Sequence, residues 1–274
     1  MSKIVLIIGA SKGIGLEIAR MLKNNGNIVY GTSRNPAQNP TTEIELIPLD
    51  VADIASISKA ITYVIEKTGR IDVVINNAGY DLYGAFEDMT LDEFSAQMDT
   101  NFWGTVRVTQ VILPIMRQQK SGKIINISSL GGVASLPFNS AYSASKFALE
   151  GFSESLRYEV LPFNIFISLV EPGQVATDTL DGSIRSINHS TTYDAQKIAT
   201  WSRGLGAKAK LKPHHVAHTV NKIVTAKHPR LRYYVGTQTR MITLFTRFLP
   251  QRLSETMLMR QLVQPFLNSS SKRA

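Results

Sequence analysis

Residues 4–22 read IVLIIGASKGIGLEIARML, and this stretch decides the fold. Ile4 to Ile8 make an unbroken apolar run, which is typical of a strand buried on both faces of a parallel sheet. The segment from Gly9 to Gly15 follows at once and contains three glycines. Apolar residues then recur at helical spacing: Leu16, Ile18, Ala19 and Leu22. The stretch therefore predicts a strand, a glycine turn and a helix in direct succession.

The glycine turn is suited to holding a phosphate group. Glycine lets the backbone turn tightly and approach a pyrophosphate, and the free N–H groups at the start of a helix attract negative charge. The alternative is an ordinary glycine-rich turn between a strand and a helix, since the spacing differs from Gly-x-Gly-x-x-Gly. The turn alone indicates a nucleotide site without fixing it.

Apolar strand patterns alternate with helical patterns along the chain. Strand patterns occupy residues 28–33, 45–49, 71–76, 123–128 and 165–170, and helical patterns occupy 54–67, 91–118 and 141–161. Such alternation predicts an α/β fold with one doubly wound parallel sheet and helices on both faces. A chain of 274 residues with 43% hydrophobic residues suits one such domain.

The composition indicates the cellular compartment in which the protein is expected. No stretch approaches the ~20 apolar residues of a transmembrane helix, and the strand pattern begins too early to leave room for a signal peptide. The chain has no cysteine, so it forms no disulfide and uses no thiolate chemistry. We therefore expect a cytoplasmic protein, with peripheral membrane association as a further option.

Positive charge is concentrated in the last third of the chain. Residues 196–274 contain 15 Lys and Arg against one acidic residue, Glu255. No aromatic or helix-turn-helix platform accompanies this charge, so we expect no nucleic-acid partner. Attraction to anionic lipid or to a phosphate-bearing substrate is one interpretation, and a solvated cationic surface is the other.

Tyr142 and Lys146 are the strongest candidates for proton chemistry. In the predicted helix their four-residue spacing places the phenol and the ammonium one turn apart on one face. A nearby positive charge lowers the pKa of a tyrosine from its ordinary value of about 10, which brings proton transfer near pH 7 within reach. Taken alone, the pair could also be a solvated surface contact.

Further polar or turn-forming residues follow the ends of other predicted strands. Asn76-Asn77-Ala78-Gly79 ends one strand, Ser129 follows another, and Pro172-Gly173 follows a third. Ligands of open parallel sheets bind outside the carboxyl ends of the strands, so these residues are expected to meet in one site. Each of them could instead be an ordinary turn residue, and Asn101 a satisfied polar group on a helix.

From about Lys3 to Thr177, the chain resembles the short-chain dehydrogenase/reductase family. The motifs that carry the resemblance, in the family's order and approximate spacing, are Gly9/Gly13/Gly15, Asn76-Asn77-Ala78-Gly79, Asn101, Ser129, Tyr142, Lys146 and Pro172-Gly173. Segments between Gly131 and Gly151 resemble the hydroxysteroid and retinol dehydrogenases. One departure is Ile8, where the family usually has a threonine whose hydroxyl helps to tie the glycine turn to the Asn-Asn-Ala-Gly strand.

The resemblance implies a Rossmann domain over residues 1–236, with a substrate segment at 178–212, and a helical extension at 237–274. It implies a catalytic group of Asn101, Ser129, Tyr142 and Lys146. Ser129, or less favourably Ser128, would bind the substrate oxygen and Tyr142 would exchange the proton. Lys146 would lower the tyrosine pKa and contact the nicotinamide ribose, and Asn101 would anchor a water linking the lysine to solvent.

The resemblance also implies a set of cofactor-binding residues. They are Gly9, Ser11, Lys12, Gly13, Ile14, Gly15, Arg34, Asp50, Val51, Asn77, Ala78, Gly79, Tyr142, Lys146, Pro172, Gly173, Val175 and Thr177. Thr177 would bind the nicotinamide carboxamide. Asp50 would contact the adenine, although it could instead be the N-cap of the following helix.

The second strand indicates which cofactor is used. A carboxylate at its end would bind the ribose hydroxyls of NAD, but this strand ends Gly31-Thr32-Ser33-Arg34. Arg34 offers a bidentate fork to a phosphate, and Lys12 adds a second positive charge. We therefore predict NADP(H), although either residue could be a plain surface cation.

The implied reaction is hydride transfer between NADP(H) and a ketone or secondary alcohol of a hydrophobic, steroid-, retinoid- or lipid-like substrate. Apolar residues of segment 178–212, among them Leu180, Ile187 and Trp201, suit such a substrate or a core. A 3-oxoacyl reductase is an alternative, and a non-catalytic NADP-binding regulator at a membrane is another. His189, His214, His215 and His218 have no neighbouring carboxylate or cysteine, so we expect no metal site.

Two kinds of contact remain open for the outer helices. The resemblance implies a homodimer or homotetramer paired through the long helices of Asn101 and Tyr142. Apolar residues between Met241 and Val263, interspersed with arginines, indicate amphipathic C-terminal helices. These helices could lie in a membrane interface, cap the substrate site, or pack against the domain or another subunit.

Overall fold

The apolar run of the first strand, β1 (Ile4–Ile8), divides between two cores. Ile4, Leu6 and Ile8 pack in one core and Val5 and Ile7 in the other. Successive side chains of a strand point to opposite faces, so a strand in the middle of a covered sheet has to be apolar at every position.

The structure is a computed structural model, and it describes residues 2–38, 41, 43–176, 184–185, 195–207, 209–248 and 250–260. The further strands in this part of the chain are β2 (Ile28–Ser33), β3 (Glu45–Pro48), β4 (Val73–Asn76), β5 (Leu82–Tyr83), β6 (Gly122–Ile127), β7 (Ile165–Pro172), β8 (Ile184–Arg185) and β9 (Arg232–Val235). The helices are α1 (Gly13–Asn24), α2 (Ile54–Thr68), α3 (Leu91–Met98), α4 (Gly104–Gln119), α5 (Ser140–Val160), α6 (Ala195–Ala207), α7 (Pro213–Thr225), α8 (Thr237–Phe248) and α9 (Gln251–Leu258).

Seven parallel strands form the main sheet in the order β3-β2-β1-β4-β6-β7-β9. The strand order reverses between β1 and β4, which is where doubly wound sheets open a ligand crevice. One core holds side chains of α2, α4 and α5, and the other holds side chains of α1 and α7. This arrangement confirms the predicted parallel sheet with helices on both faces.

The predicted helix over residues 91–118 is interrupted. A π-helical turn, Asp99–Trp103, separates α3 from α4 and contains the buried Asn101. Apolar periodicity does not reveal a single wide turn, because the pattern resumes with little change beyond it.

The edge strand β9 is the main element that the strand patterns did not predict. Its sequence, RYYV, contains no apolar run. Three of its four residues are only partly buried, so the strand does not have to be apolar at every position. Its Arg232 lies among carboxylates of α5 and β7. Arg232 bonds Glu154 at 2.7 Å and Glu150 at 3.1 Å, and it lies 3.5 Å from the fully buried Glu171. The charge cluster ties the edge strand to its neighbours.

Candidate active site

A cleft of ≈ 1510 Å³ opens at the carboxyl ends of the strands next to the reversal in strand order. Of the predicted site residues, those that line it are Gly9, Ser11, Lys12, Gly13, Ile14, Arg34, Asp50, Val51, Asn77, Ala78, Gly79, Ser129, Tyr142, Lys146, Pro172, Gly173 and Val175. Gly15 and Asn101 are buried and are not among its lining residues, and Thr177 falls outside the described residues. The fold thus brings the predicted phosphate turn and proton group to one cavity.

The glycine turn has the shape that its sequence predicts. Gly9 and Gly13 have φ values of +81° and +58°, in the left-handed region that favours glycine. A Cβ on Gly15 would overlap the carbonyl oxygen of Gly9. The first turn of α1 has no side-chain cap and no acidic residue, so its N–H groups suit a phosphate.

Two other side chains tie the glycine turn where Ile8 brings no hydroxyl. The side-chain Nδ2 of Asn77 donates to the carbonyl oxygen of Gly9 at 2.6 Å. The backbone N–H of Gly9 donates to the hydroxyl of Thr32 at 3.1 Å. The turn is therefore bound to the Asn-Asn-Ala-Gly segment through Asn77 and to β2 through Thr32, although Ile8 brings no hydroxyl.

The cofactor end of the cleft carries exposed positive charge. Lys12 and Arg34 are exposed at its rim. Asp50 is partly buried, and its carboxylate accepts a hydrogen bond from the N–H of Ala52 at 2.9 Å. The N-cap of α2 is Asp53, whose side chain accepts from the N–H of Ala55, so the N-cap alternative for Asp50 is wrong. Asp50 instead shapes the turn before that helix.

Lys146 is anchored inside the cleft beside Tyr142. Its Nζ donates to the carbonyl oxygen of Ile127 at 2.9 Å and lies 5.7 Å from the centroid of the Tyr142 ring. Burial lowers the pKa of Lys146 to about 8. The helical spacing thus places both groups on one face of α5, as predicted.

Ser129 is the serine that faces the phenol. Its hydroxyl accepts from the N–H of Gly131 at 3.0 Å, and its proximity to the Tyr142 hydroxyl lowers the phenol pKa. The hydroxyl of Ser128 is buried and has no hydrogen-bond partner among the described atoms. Ser129 is therefore the better placed of the two for contact with a substrate oxygen.

The pKa of Tyr142 moves in the direction opposite to the one expected from Lys146. Burial raises the pKa of Tyr142 well above its ordinary value, and the nearby carboxylate of Asp81 raises it further. Desolvation and a second charged group, neither of which the Tyr-x-x-x-Lys spacing reveals, set the direction of the shift.

Asp81 is a site residue that the sequence analysis missed. It lines the same cleft as Tyr142, two positions after Gly79, and is partly exposed. Burial raises the pKa of Asp81 to about 6, while the charge of Lys146 and the proximity of the Tyr142 hydroxyl act against this shift. A lone aspartate after a turn motif carries no periodic signal, so only its position beside the phenol identifies it.

Asn101 holds the backbone next to Asp81. Its amide accepts from the N–H of Tyr80 at 3.1 Å and donates to the carbonyl oxygen of Tyr80 at 3.0 Å and to the Ser145 hydroxyl at 3.3 Å. Both amide hydrogens are engaged, so a water could bind only at the remaining lone pair of its carbonyl oxygen. The contacts give Asn101 a positioning role.

Only part of the predicted substrate segment lies in the described residues. Leu180, Ile187 and Tyr193 fall outside them, as does His189. On α6, Trp201 packs edge-on against Phe138 with ring centroids 6.1 Å apart, and Ile198 is buried. Among the described residues, no group of three or more histidines and carboxylates could hold a metal ion.

The C-terminal helices combine an anchored start with an exposed apolar surface. Thr239, in the first turn of α8, is buried and donates to the carbonyl oxygen of Val235 at 2.9 Å. Among the side chains that the structure describes in α8, α9 and the turn after them, the exposed large apolar ones are Met241, Leu244, Phe245, Leu253, Met257 and Met259. In the described part of the chain, no helix has the length and apolar character needed to cross a bilayer.

Comparison with known sequences gives one family and several relatives. The sequence model described as short chain dehydrogenase matches residues 3–188. The 3-ketodihydrosphingosine reductase of Bacteroides thetaiotaomicron is 43% identical over 239 residues, which cover 85% of this chain and 88% of that protein. Retinol dehydrogenase 8 of Bos taurus is 34% identical over 85% of this chain and 81% of its own length. Human 17-beta-hydroxysteroid dehydrogenase type 1 is 35% identical, over 84% and 76%.

Solved structures agree with this result. A short-chain dehydrogenase from Streptomyces avermitilis superimposes with a TM-score of 0.79 and 33% identity, covering 97% of this chain and 99% of that one. A structure described as ElxO with NADP bound gives a TM-score of 0.69 and 26% identity, covering 87% of this chain and 100% of that one.

Proposed function

This chain belongs to the short-chain dehydrogenase family, and on that premise we propose that it interconverts a ketone and a secondary alcohol of a hydrophobic substrate with NADP(H). The observation that carries the proposal is the meeting of Tyr142, Ser129 and Lys146 in the cleft that also holds the glycine turn. A protein that only sensed the nucleotide would need the turn but no proton donor.

The residues of the cleft divide the chemistry between them. When bound, the nicotinamide supplies or accepts the hydride. Ser129 holds the substrate oxygen, and Tyr142 gives that oxygen a proton in reduction or takes one in oxidation. Lys146 keeps a positive charge beside the phenol, and Asn101 fixes the loop at Tyr80. Thr177, outside the described residues, is proposed for the carboxamide.

The choice of NADP(H) rests on the rim of the cleft. Lys12 and Arg34 are exposed there, and the end of β2 brings no carboxylate to repel a phosphate. The glycine turn and the uncapped start of α1 fit a pyrophosphate. The relative described with NADP bound supports the same choice.

The names of the relatives support the proposed substrate class. They name 3-ketodihydrosphingosine, retinol and a 17-beta-hydroxysteroid, all of which are mainly apolar. We propose a lipid-like substrate, with residues 178–212 as the substrate segment. Reduction of a 3-oxoacyl group remains the alternative reaction, and the non-catalytic regulator remains the alternative class.

Assembly and surface contacts are further parts of the proposal. Exposed aromatic residues on two neighbouring segments, Trp103 beside α4 and Phe147 on α5, suit pairing into a homodimer or homotetramer. We propose that residues 237–274 extend the same domain. Exposed Phe245 and Leu244 near the exposed Arg240 would also let α8 touch an anionic membrane. Flotation of Phe245→Glu against wild type with anionic vesicles tests this contact.

The decisive experiment follows nicotinamide absorbance while the chain reduces a long-chain ketone. Tyr142→Phe is expected to lower turnover by about 10²–10⁴-fold, because it removes the proton donor, while NADPH still binds by fluorescence titration. Tyr158→Phe makes the same change at an exposed position of the same helix and should keep full activity. Undiminished turnover in Tyr142→Phe would refute the proposal, and no turnover of any ketone by wild type would favour the regulator.

A further inference from the structure

Two carboxylates follow the proton group along α5. Glu150 and Glu154 come after Lys146 at four-residue steps, so consecutive members of the series lie one helical turn apart. Lys146 and Glu150 are both buried, whereas Glu154 keeps 45% of its side chain exposed. Glu150 is not among the residues that line the cleft, so its charge can act on the proton group only from inside the protein.

The packing around Gly132 shows where the Glu150 side chain lies. A Cβ added to Gly132 would lie 3.2 Å from Cγ of Glu150, 3.1 Å from the carbonyl oxygen of Lys146 and 3.0 Å from the hydroxyl of Ser128. Helical side chains point towards the N-terminus of their helix, which here is the direction of Lys146. Because Ser128 lines the cleft, the Glu150 side chain packs directly behind the cleft wall.

Arg232 of β9 holds the Glu150 carboxylate in place. Its Nε lies 3.1 Å from a carboxylate oxygen of Glu150 and 3.5 Å from one of Glu171 on β7, and its Nη2 lies 2.7 Å from Glu154. Only 8% of the Glu150 side chain is exposed, so water screens its charge weakly. A guanidinium at this distance favours the ionised carboxylate. Arg232 divides its charge among several carboxylates, so it does not cancel that of Glu150.

Resting on the proposed function, we infer that Glu150 is a positioning residue that acts through Lys146, because its buried negative charge, one turn along α5, keeps the ammonium charged. Tyr142 becomes an anion as it gives its proton to the substrate oxygen, and the neighbouring ammonium stabilises that anion. A neutral lysine would not do so. Glu150 therefore sets the highest pH at which reduction is fast.

The other titratable groups at the cleft allow the effect on Lys146 to be isolated. Burial lowers the pKa of Lys146 to about 8, and the charges of Asp81 and Glu150 act against this shift. The pKa of Asp81 is about 6, and burial raises the pKa of both Tyr142 and Tyr83 above the ordinary range. A fall in the rate of reduction near pH 8 is therefore assigned to loss of the proton of Lys146.

The test measures kcat for reduction of a long-chain ketone at saturating NADPH from about pH 6 to about pH 10. A negative charge favours the ammonium, so removing it lowers the pKa of Lys146. Glu150→Gln keeps the shape without the charge and should move the basic limb of the profile to lower pH by at least about half a unit. Glu150→Asp keeps the charge on a shorter side chain and should leave the limb within about 0.3 unit of wild type.

A residue needed only for packing would give the opposite order, since glutamine fills the place of Glu150 better than aspartate does. Glu159→Gln, which removes an exposed carboxylate near the end of the same helix, is the matched control and should leave the profile unchanged. If Glu150→Gln does not fold, the aspartate variant decides alone, because a limb lowered by half a unit despite the retained charge would overturn the inference.

The outcomes separate the inference from the proposed function. A limb at the wild-type pH in folded Glu150→Gln would overturn the inference and leave the oxidoreductase proposal standing, since the ketone is still reduced. Absence of turnover in wild type that binds NADPH would count against the proposed function itself.

Discussion

The side-chain amide of Asn77 donates a hydrogen bond of 2.6 Å to the carbonyl oxygen of Gly9, and so joins the end of β4 to the phosphate turn after β1. The two strands are neighbours at the reversal in strand order, and both residues line the cleft. The bond therefore joins the turn and the adjacent loop into one unit.

Gly15→Ala should break this unit. A Cβ at Gly15 would overlap the carbonyl oxygen of Gly9 and lie 2.6 Å from Nδ2 of Asn77. We expect a loss of about 1–3 kcal/mol in the free energy of unfolding, together with weaker cofactor binding. Gly151→Ala, on a helix with nothing within 4 Å, should be neutral or slightly stabilising. Urea unfolding and NADPH titration measure both, and wild-type binding by Gly15→Ala would contradict the fit.

Arg34→Ser should weaken NADPH more than NADH. Loss of a charged hydrogen bond to the extra phosphate is expected to raise KM for NADPH by about 10–100-fold and to leave KM for NADH nearly unchanged. Arg117→Ser, at an exposed site in the last turn of α4, is the matched control. Steady-state kinetics with both cofactors decide the matter, and an equal loss for the two would assign Arg34 another role.

Asp81→Asn should make the fold more stable at neutral pH. The pKa of Asp81 is raised to about 6 by burial, with Lys146 and Tyr142 acting against the shift, and Tyr83 lines the same cleft. Between the ordinary pKa of an aspartate and about 6, the folded state keeps a proton that the unfolded state releases. Wild type therefore loses stability as pH rises through this window.

The amide cannot lose a proton, so its advantage over wild type should grow from about pH 4 and level off near pH 7 at about 1–3 kcal/mol. Urea unfolding at a series of pH values measures the difference. If the free energies of unfolding of the variant and wild type differed by the same amount at every pH in this range, the pKa of Asp81 would not be raised in the folded state.

Arg232→Met should destabilise the fold by about 3–5 kcal/mol, because it takes the cation from a buried cluster of carboxylates. Glu171 is fully buried and Glu150 nearly so, and both face Arg232. Arg232→Lys keeps the charge but cannot bond several carboxylates with one planar group. Its stability should therefore lie between that of Arg232→Met and that of wild type. Thermal unfolding measures the order of stability of the three proteins. A methionine variant as stable as wild type would show that the charge cluster does not stabilise the fold.

The parts of the fold and site that were predictable are those written in local patterns. The strand and glycine turn at Ile4 to Gly15, and the one-turn spacing of Tyr142 and Lys146, need only neighbours in sequence. The family match and the parallel sheet confirm the fold class, and the cleft contains most of the predicted residues.

The parts that could not be predicted depend on residues far apart in sequence. The pKa of Tyr142 is raised by burial among distant elements and by the charge of Asp81, which lies 61 positions earlier. The glycine turn after Ile8 is held by Asn77 from another strand, and the edge strand β9 is joined to its neighbours through Arg232. No periodic pattern records such contacts, because each joins a single side chain to another element.

The π-helical turn Asp99–Trp103 gives this part of the chain a strict length requirement. Deleting one residue there would yield a smoother helix, and it would also swing Asn101 by about 100° around the axis, away from Tyr80. Asp81 would then lose the hydrogen bonds that hold the backbone of the preceding residue, Tyr80, in place. Natural variants should accordingly tolerate substitutions at the exposed positions of this turn far better than insertions or deletions.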